Sequence, residues 1–302
     1  MRPPVVSFAN VRKCYRLGLN GGRGAVALDG VSGEAHEGEI VGIAGPPGAG
    51  KSTLLRIAAG MLRPDDGEVS WRGARECPPW LAAFVPSHAV LHDFLTVREA
   101  LRFAGAQRAL EGARRVVAED LWTARLGLAP RLAVRVGALP LGERRVVALA
   151  AALQGAPSLV AFDAPLDGLD PAARRDMARA LQLVAASGVA LLVGASDLGV
   201  LTAVAHRAAL LRGGRVVAWI DPRVSPPRSA LEIAVGAPRA VAARLRRHVA
   251  AWCRRDGAVR VPLADRSAEE VLALCRAEGI QVLRSRVVTE PPGRWTVPPS
   301  PG

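Results

Sequence analysis

Glu39-Ile-Val-Gly-Ile-Ala44-Gly45-Pro46-Pro47-Gly48-Ala49-Gly50-Lys51-Ser52-Thr53-Leu54-Leu55 is the stretch that decides the fold. An apolar run of strand length, Glu39–Ala44, meets a glycine-rich bend and then a helix-forming run, Lys51–Met61. Glycines let a backbone wrap closely around a phosphate and turn its N–H groups inward. The N-terminus of the following helix adds a dipole that favours negative charge. A lysine at this spacing reaches β- and γ-phosphates, and the next hydroxyl can ligate Mg²⁺. The lysine is informative because the chain has only two, Lys13 and Lys51. Gly45, Pro46, Pro47, Gly48, Ala49, Gly50, Lys51, Ser52 and Thr53 are therefore predicted to contact ATP, with Ser52 on its Mg²⁺.

A second stretch supports the first. Ser158-Leu-Val-Ala-Phe162-Asp163 is an apolar strand ending in a carboxylate. In such folds that carboxylate lies beside the phosphate loop and holds Mg²⁺, partly through water. It continues as Ala164-Pro-Leu-Asp167-Gly168-Leu-Asp170-Pro171.

Outward from these motifs, strands alternate with helical runs from about residue 39 to 219, the pattern of an α/β domain. Gly67–Trp71 and Ala82–Val85 read as short strands, and the Arg/Ala-rich texture of about 87–140 reads as helical, including Val97–Leu110 and Val116–Leu126. A helix over Glu143–Leu153, the strand Ser158–Asp163, a helix after Pro171 and a buried strand Gly188–Gly194 follow. His206–Arg212 and Arg215–Ile220 form a hairpin around Gly213–Gly214. Asp221–Arg228 is a proline-rich linker. Beyond it, a second unit reads as strand Leu231–Val235, helix Pro238–Ala251, strand Val259–Pro262, helix Ser267–Ala277 and strand Ile280–Val288. Ser267 and Glu270 have the spacing of a capping box. The boundaries expected are 1–222 for the first domain, with a helical subdomain near 87–140, 229–289 for a small α/β domain, and a Pro/Gly-rich disordered tail over 290–302.

With its motifs in this order, the chain resembles the ABC ATPase family over roughly its first 220 residues. Ala27-Leu-Asp-Gly-Val-Ser32 is similar to the family's segment before the first core strand, and Phe94-Leu-Thr-Val-Arg-Glu-Ala-Leu101 to the start of its helical subdomain. Gly168-Leu-Asp170-Pro171 resembles the loop that crosses the dimer interface, and Leu210–Val217 the closing hairpin. The resemblance implies a P-loop NTPase of ABC type: a RecA-like core sheet, an antiparallel β subdomain and a helical subdomain. It places Tyr15, the one tyrosine of the chain, where an aromatic ring stacks on adenine. It also implies an integral-membrane permease as partner, a homodimer or heterodimer with another ABC ATPase subunit through Gly142 and Asp170, and a peripheral position on the cytoplasmic face of the membrane. The C-terminal run is similar to the accessory domain of exporter subunits.

The departures from the family are as informative. Ala164 stands at the place of the glutamate that orients the attacking water, Ser196 at the place of the histidine on the γ-phosphate, and Ser87 at the place of the glutamine that links metal and permease. The signature loop reads Leu139-Pro140-Leu141-Gly142-Glu143 where the family has Ser-Gly-Gly-Gln after the leucine. Proline offers neither hydroxyl nor N–H, leucine brings bulk, and Glu143 sets a negative charge near a negative ligand. The expectation is a subunit that binds ATP–Mg²⁺ and hydrolyses it poorly, as a regulatory half. Two other readings stay open: an ABC-like regulatory protein without a permease, and a slow but competent ATPase in which Asp167 or another carboxylate replaces the base.

Composition limits the alternatives. The longest uncharged stretches, Val146–Phe162 and Ala180–Ser196, fall just short of a membrane-spanning length and carry interruptions, so each reads as a helix followed by a buried strand. The opening MRPPVVSFANVRK has no apolar signal core, which argues against secretion. Cys14, Cys77, Cys253 and Cys275 form no CxxC pair, which disfavours a disulfide framework or a cysteine metal site. The net charge of +13 is spread along the chain as arginine without interleaved aromatics, which disfavours a nucleic-acid groove.

Overall fold

The computed structural model describes residues 3–17, 22–88, 91–107, 120–221, 228–245, 252–253, 258–262 and 268–290. The chain divides into two compact units, Met1–Arg223 and Val224–Gly302.

The first unit is built on a six-stranded sheet in the order β5-β6-β7-β3-β8-β9. Its members are β3 (Ile40–Ala44), β5 (Ala82–Val85), β6 (Leu159–Phe162), β7 (Ala190–Ala195), β8 (Arg207–Arg212) and β9 (Arg215–Ile220). The first five run parallel; β9 returns antiparallel to β8 through Gly213 and Gly214, both at positive φ, as a tight hairpin demands. Every residue of β3, β6 and β7 is buried, the mark of a parallel sheet covered on both faces. Alternate side chains divide between those faces. Ile40, Val160, Phe162, Leu191 and Val193 pack with Leu101, Leu149, Leu181 and Val184 of the helices on one side. Val41, Ile43, Leu159, Ala161 and Leu192 pack on the other side with Leu54, Leu55 and Ile57.

The helices are α1 (Lys51–Ala58), α2 (Val97–Gln107), α3 (120–125), α4 (Leu141–Leu153) and α5 (Pro171–Ala186). α1 is shorter than the sequence suggested, because Gly60 turns left-handed at φ 71° and its N–H closes on Ile57. α4 begins two residues earlier than expected, with Pro140 in extended geometry ahead of it. The expected helix residues 108–110 and 116–119 lie outside the described residues.

A three-stranded antiparallel sheet, β2-β1-β4, completes the unit. β1 (Val6–Leu17) and β2 (Gly22–Ala35) pair along most of their length, and β4 (Asp66–Trp71) lines the other edge of β1. Val6, Phe8, Val11, Leu28, Val31 and Val69 join this sheet to the α1 side of the core. The long strands β1 and β2 were not individually legible, because bulges interrupt their register and break the period-2 pattern.

The second unit runs β10 (Arg228–Val235), α6 (Pro238–Leu245), β11 (Trp252–Cys253), β12 (Ala258–Pro262), α7 (Ala268–Ala277) and β13 (Val282–Glu290). Its sheet order is β11-β12-β10-β13, antiparallel throughout, the split βαββαβ pattern. Leu231, Ile233, Val235, Leu245, Val259, Val261, Val271 and Ile280 form its core. The two-residue β11 was not anticipated. The last strand begins at Val282 rather than Ile280. Gly279, at φ 63°, donates to Arg276 while Ile280 donates to Cys275, a helix-ending motif that draws Ile280 into the core. The linker residues 222–227, helix residues 246–251, Ser267 of the capping box and the tail 291–302 lie outside the described residues. Among the described residues no helix is long and apolar enough to cross a membrane.

Candidate functional site

The loop between β3 and α1 is shaped by the walls around its glycines. A β-carbon at Gly50 would lie 2.2 Å from the Ala27 carbonyl oxygen, and one at Gly45 2.3 Å from that of Leu211. Gly50 is left-handed at φ 102°. The loop is pinned further by Ala49 N–H to Pro46 O (3.1 Å) and Gly214 N–H to Ala49 O (3.1 Å). Among the described residues, no acceptor takes the N–H groups of Gly48, Gly50, Lys51 and Ser52, which are left as donors at the head of α1. The Lys51 ammonium donates to the carbonyls of Gly45 (2.7 Å) and Pro46 (3.0 Å). Burial pushes its pKa down, against the attraction of Asp163 and Asp167.

Ser52 and Asp163 meet as the sequence placed them. The Ser52 hydroxyl donates to Asp163 Oδ2 at 2.6 Å, and Asp163 is only 7 % exposed at the end of β6. It fits there because Gly194 of β7 has no side chain: a β-carbon would stand 3.0 Å from Asp163 Oδ1. Tyr15 reaches the same helix, its hydroxyl 3.4 Å from Thr53 Oγ1. A hydroxyl, a carboxylate, an ammonium and a row of free N–H groups converge. This donor set fits a polyphosphate with a hard divalent cation.

The turn after β6 holds the positions that differ from the family. Ala164 is left-handed at φ 51°, with its N–H on Gly194 O (3.1 Å). Asp167 N–H points back to Ala164 O (3.4 Å). This turn folds the Asp167 side chain onto the loop after β7, where Oδ2 accepts from the Ser196 N–H at 3.0 Å. Asp167 Oδ1 is buried without a hydrogen-bond partner. Ser87 is half-buried, two residues past β5.

The signature region lies at the start of α4. Gly142 is buried, and a β-carbon there would lie 2.8 Å from the Ala173 Cβ of α5. Asp170 caps α5, its carboxylate accepting from the N–H groups of Ala172 and Ala173 at 2.9 Å each; these bonds draw its pKa down. Leu141 is half exposed. Together with Glu143, Leu169 and Asp170 these residues line a groove of about 660 Å³. Glu143 does not present the bare negative charge that the sequence suggested. Arg131 grips it with two bonds, at 2.7 and 3.0 Å.

Arg145 was missed. It is buried on α4, and its guanidinium donates to the carbonyls of Pro165 (3.1 Å) and Asp167 (2.5 Å), tying that helix to the turn after β6. Its position three residues after Gly142, on the side of α4 that packs against this turn, was the available signal.

Comparison with known proteins agrees with this geometry. The family described as ABC transporter matches residues 28–167. The chain is 32% identical over 234 residues to a methionine import ATP-binding protein of Thermobifida fusca, covering 70% of this chain and 68% of that one. It is 32% identical over 229 residues to a Nod factor export ATP-binding protein of Burkholderia pseudomallei, covering 72% and 71%. Other matched relatives are longer, and the matched stretch spans only 23% of one and 40% of another. The dimeric structure of a bacterial ABC transporter cassette superposes with a TM-score of 0.63 at 26% identity, covering 72% of this chain and 99% of that one. The chain belongs to the ATP-binding protein family of the ABC transporters.

Proposed function

We propose that the chain is the ATP-binding subunit of an ABC exporter, that it binds ATP with Mg²⁺ between the β3–α1 loop and Asp163, and that it hydrolyses ATP slowly. The observation that carries this reading is the 2.6 Å contact of Ser52 with Asp163 beside the Lys51 ammonium. The free N–H groups of Gly48, Gly50, Lys51 and Ser52 would cradle the phosphates, Lys51 would hold the β- and γ-oxygens, and Ser52 with Asp163 would hold the metal. The metal supplies charge neutralisation at the phosphates when bound. Tyr15, on β1 beside Thr53, would flank the base. Slow hydrolysis follows from the methyl of Ala164, which cannot take a proton from water. Serines at 87 and 196 are also too short for the reach of glutamine and histidine.

In this reading the groove at Leu141, Gly142 and Asp170 faces a second ATP-binding subunit, and a separate integral-membrane permease is the docking partner. Export rests on the position and pattern of the 229–289 domain. The test of the nucleotide reading is calorimetry with ATP–Mg²⁺ on wild type and Lys51→Ala. Loss of a charged hydrogen-bond donor costs about 1.5–3 kcal/mol, so affinity should fall at least tenfold; equal affinities would remove the site. The docking reading is tested by pull-down from detergent-solubilised membranes, where recovery of no integral-membrane protein counts against it.

A further inference from the structure

Asp167 is a charged feature of the site that the nucleotide reading leaves unused. Four observations place it. Its carboxylate is folded back over Ala164 by a turn and fastened to the Ser196 N–H at 3.0 Å. Its main-chain carbonyl is gripped by Arg145 at 2.5 Å, so the residue is held from both ends. One carboxylate oxygen is buried without a hydrogen-bond partner. The loop that holds it follows Gly194, which abuts Asp163 (a β-carbon there would stand 3.0 Å from Asp163 Oδ1), and its charge, like that of Asp163, favours the charged form of Lys51.

The two carboxylates near Lys51 have different fates when a nucleotide arrives. Asp163 is bonded to Ser52 and stands where a divalent cation would offset its charge. Asp167 is engaged by a backbone N–H, which orients it without neutralising it. The next cation that bears on it is Arg145, whose own bonds go to backbone carbonyls. A phosphate drawn to Lys51 is therefore also drawn toward a fixed negative charge. That penalty falls mostly on the terminal phosphate of a triphosphate, since the γ-group carries the most charge and lies furthest along the lysine's reach.

We propose that Asp167 sets the nucleotide preference of the site, its fixed carboxylate lowering affinity for nucleoside triphosphates relative to diphosphates. The proposal rests on the nucleotide reading above and adds to it a residue that discriminates by charge. It also gives the subunit a bias: a triphosphate must overcome Asp167, either by its own binding energy or by a partner that moves the turn after β6.

The experiment is isothermal calorimetry with ATP–Mg²⁺ and ADP–Mg²⁺ on wild type, Asp167→Asn and Asp167→Ser. Asparagine keeps an oxygen for the Ser196 N–H and removes the charge. Serine removes the charge with a shorter side chain, should asparagine prevent folding. The ratio of ADP to ATP dissociation constants should rise at least about threefold in either variant. That is the effect of one unit charge at ~6 Å even in the dielectric of water. The gain should shrink as salt is raised. A ratio that stays constant, or falls because the carboxylate was helping the triphosphate through metal or water, overturns the proposal while leaving the nucleotide site intact. If neither nucleotide binds wild type, the nucleotide reading fails and this inference fails with it.

Discussion

Replacing Gly50 by alanine probes how tightly the phosphate loop is built. Two penalties are legible. The residue sits at φ 102°, and a β-carbon in left-handed backbone costs about 1–2 kcal/mol. The same carbon would stand 2.2 Å from the Ala27 carbonyl oxygen and 2.9 Å from Leu28 Cδ2, so β2 or the loop must shift by about an ångström. Overpacking of that kind costs roughly 1–3 kcal/mol, for a sum of about 2–5 kcal/mol. In a domain of this size each kcal/mol moves the midpoint of unfolding by roughly 2–4 °C. Gly50→Ala should therefore melt about 4–20 °C below wild type. Gly48 supplies the control: it is also left-handed, at φ 77°, but a β-carbon there meets nothing within 4 Å. Gly48→Ala should incur only the backbone cost, about 1–2 kcal/mol. The assay is differential scanning calorimetry of the three proteins, with ATP affinity measured alongside. If the two variants melt together, the Ala27 wall is not what holds the loop, and the packing argument for residue 50 is wrong.

Three further outcomes are expected. Ala164→Glu alone should raise steady-state phosphate release less than tenfold, although a missing base alone would account for about 10²–10⁴-fold. The full set Ala164→Glu, Ser196→His, Pro140→Ser and Leu141→Gly should exceed the sum of its parts, and a single glutamate variant that matches the set refutes this account of the defect. Arg145→Met should lower thermal stability by about 1–3 kcal/mol, because the buried carbonyl of Pro165 and the half-buried one of Asp167 lose their donor; an unchanged melting temperature would show that the tie between α4 and this turn carries no load. Burial pushes the Cys77 thiol up from its ordinary pKa, so iodoacetamide at pH 8 should label exposed Cys14 well before Cys77. Peptide mass spectrometry checks the order.

Much of the first unit was readable because its parallel strands are buried on both faces and appear as uninterrupted apolar runs. The loop at 45–53 and the strand ending at Asp163 were equally plain, since phosphate geometry demands glycine, lysine and a hydroxyl in fixed order. What the sequence did not reveal has two causes. The strand pair β1 and β2 was hidden by the bulges that break its alternation, whereas the Arg131 grip on Glu143, the carbonyls that Arg145 reaches and the Asp167–Ser196 contact depend on partners 12 to 29 residues away, which local pattern does not reveal. Glu143 is the instructive case: judged alone it is a misplaced charge, and only the fold reveals the guanidinium twelve residues earlier that neutralises it.

The strand order has a consequence for how this protein is made. β3 lies between β7 and β8, so Ile40 pairs with Leu191 and Val41 with Arg207. The chain must therefore grow by 191 − 40 = 151 residues before the first of these partners exists. At roughly 5–20 residues per second of synthesis, five apolar residues with both edges unpaired emerge from the ribosome about 8–30 s before either neighbour. During that interval Ile40–Ala44 is a sticky tape rather than a strand. Anything that shields this segment during synthesis would protect the nascent chain, and synonymous codons that slow elongation between residues 44 and 190 would lengthen its exposure and lower the yield of folded protein.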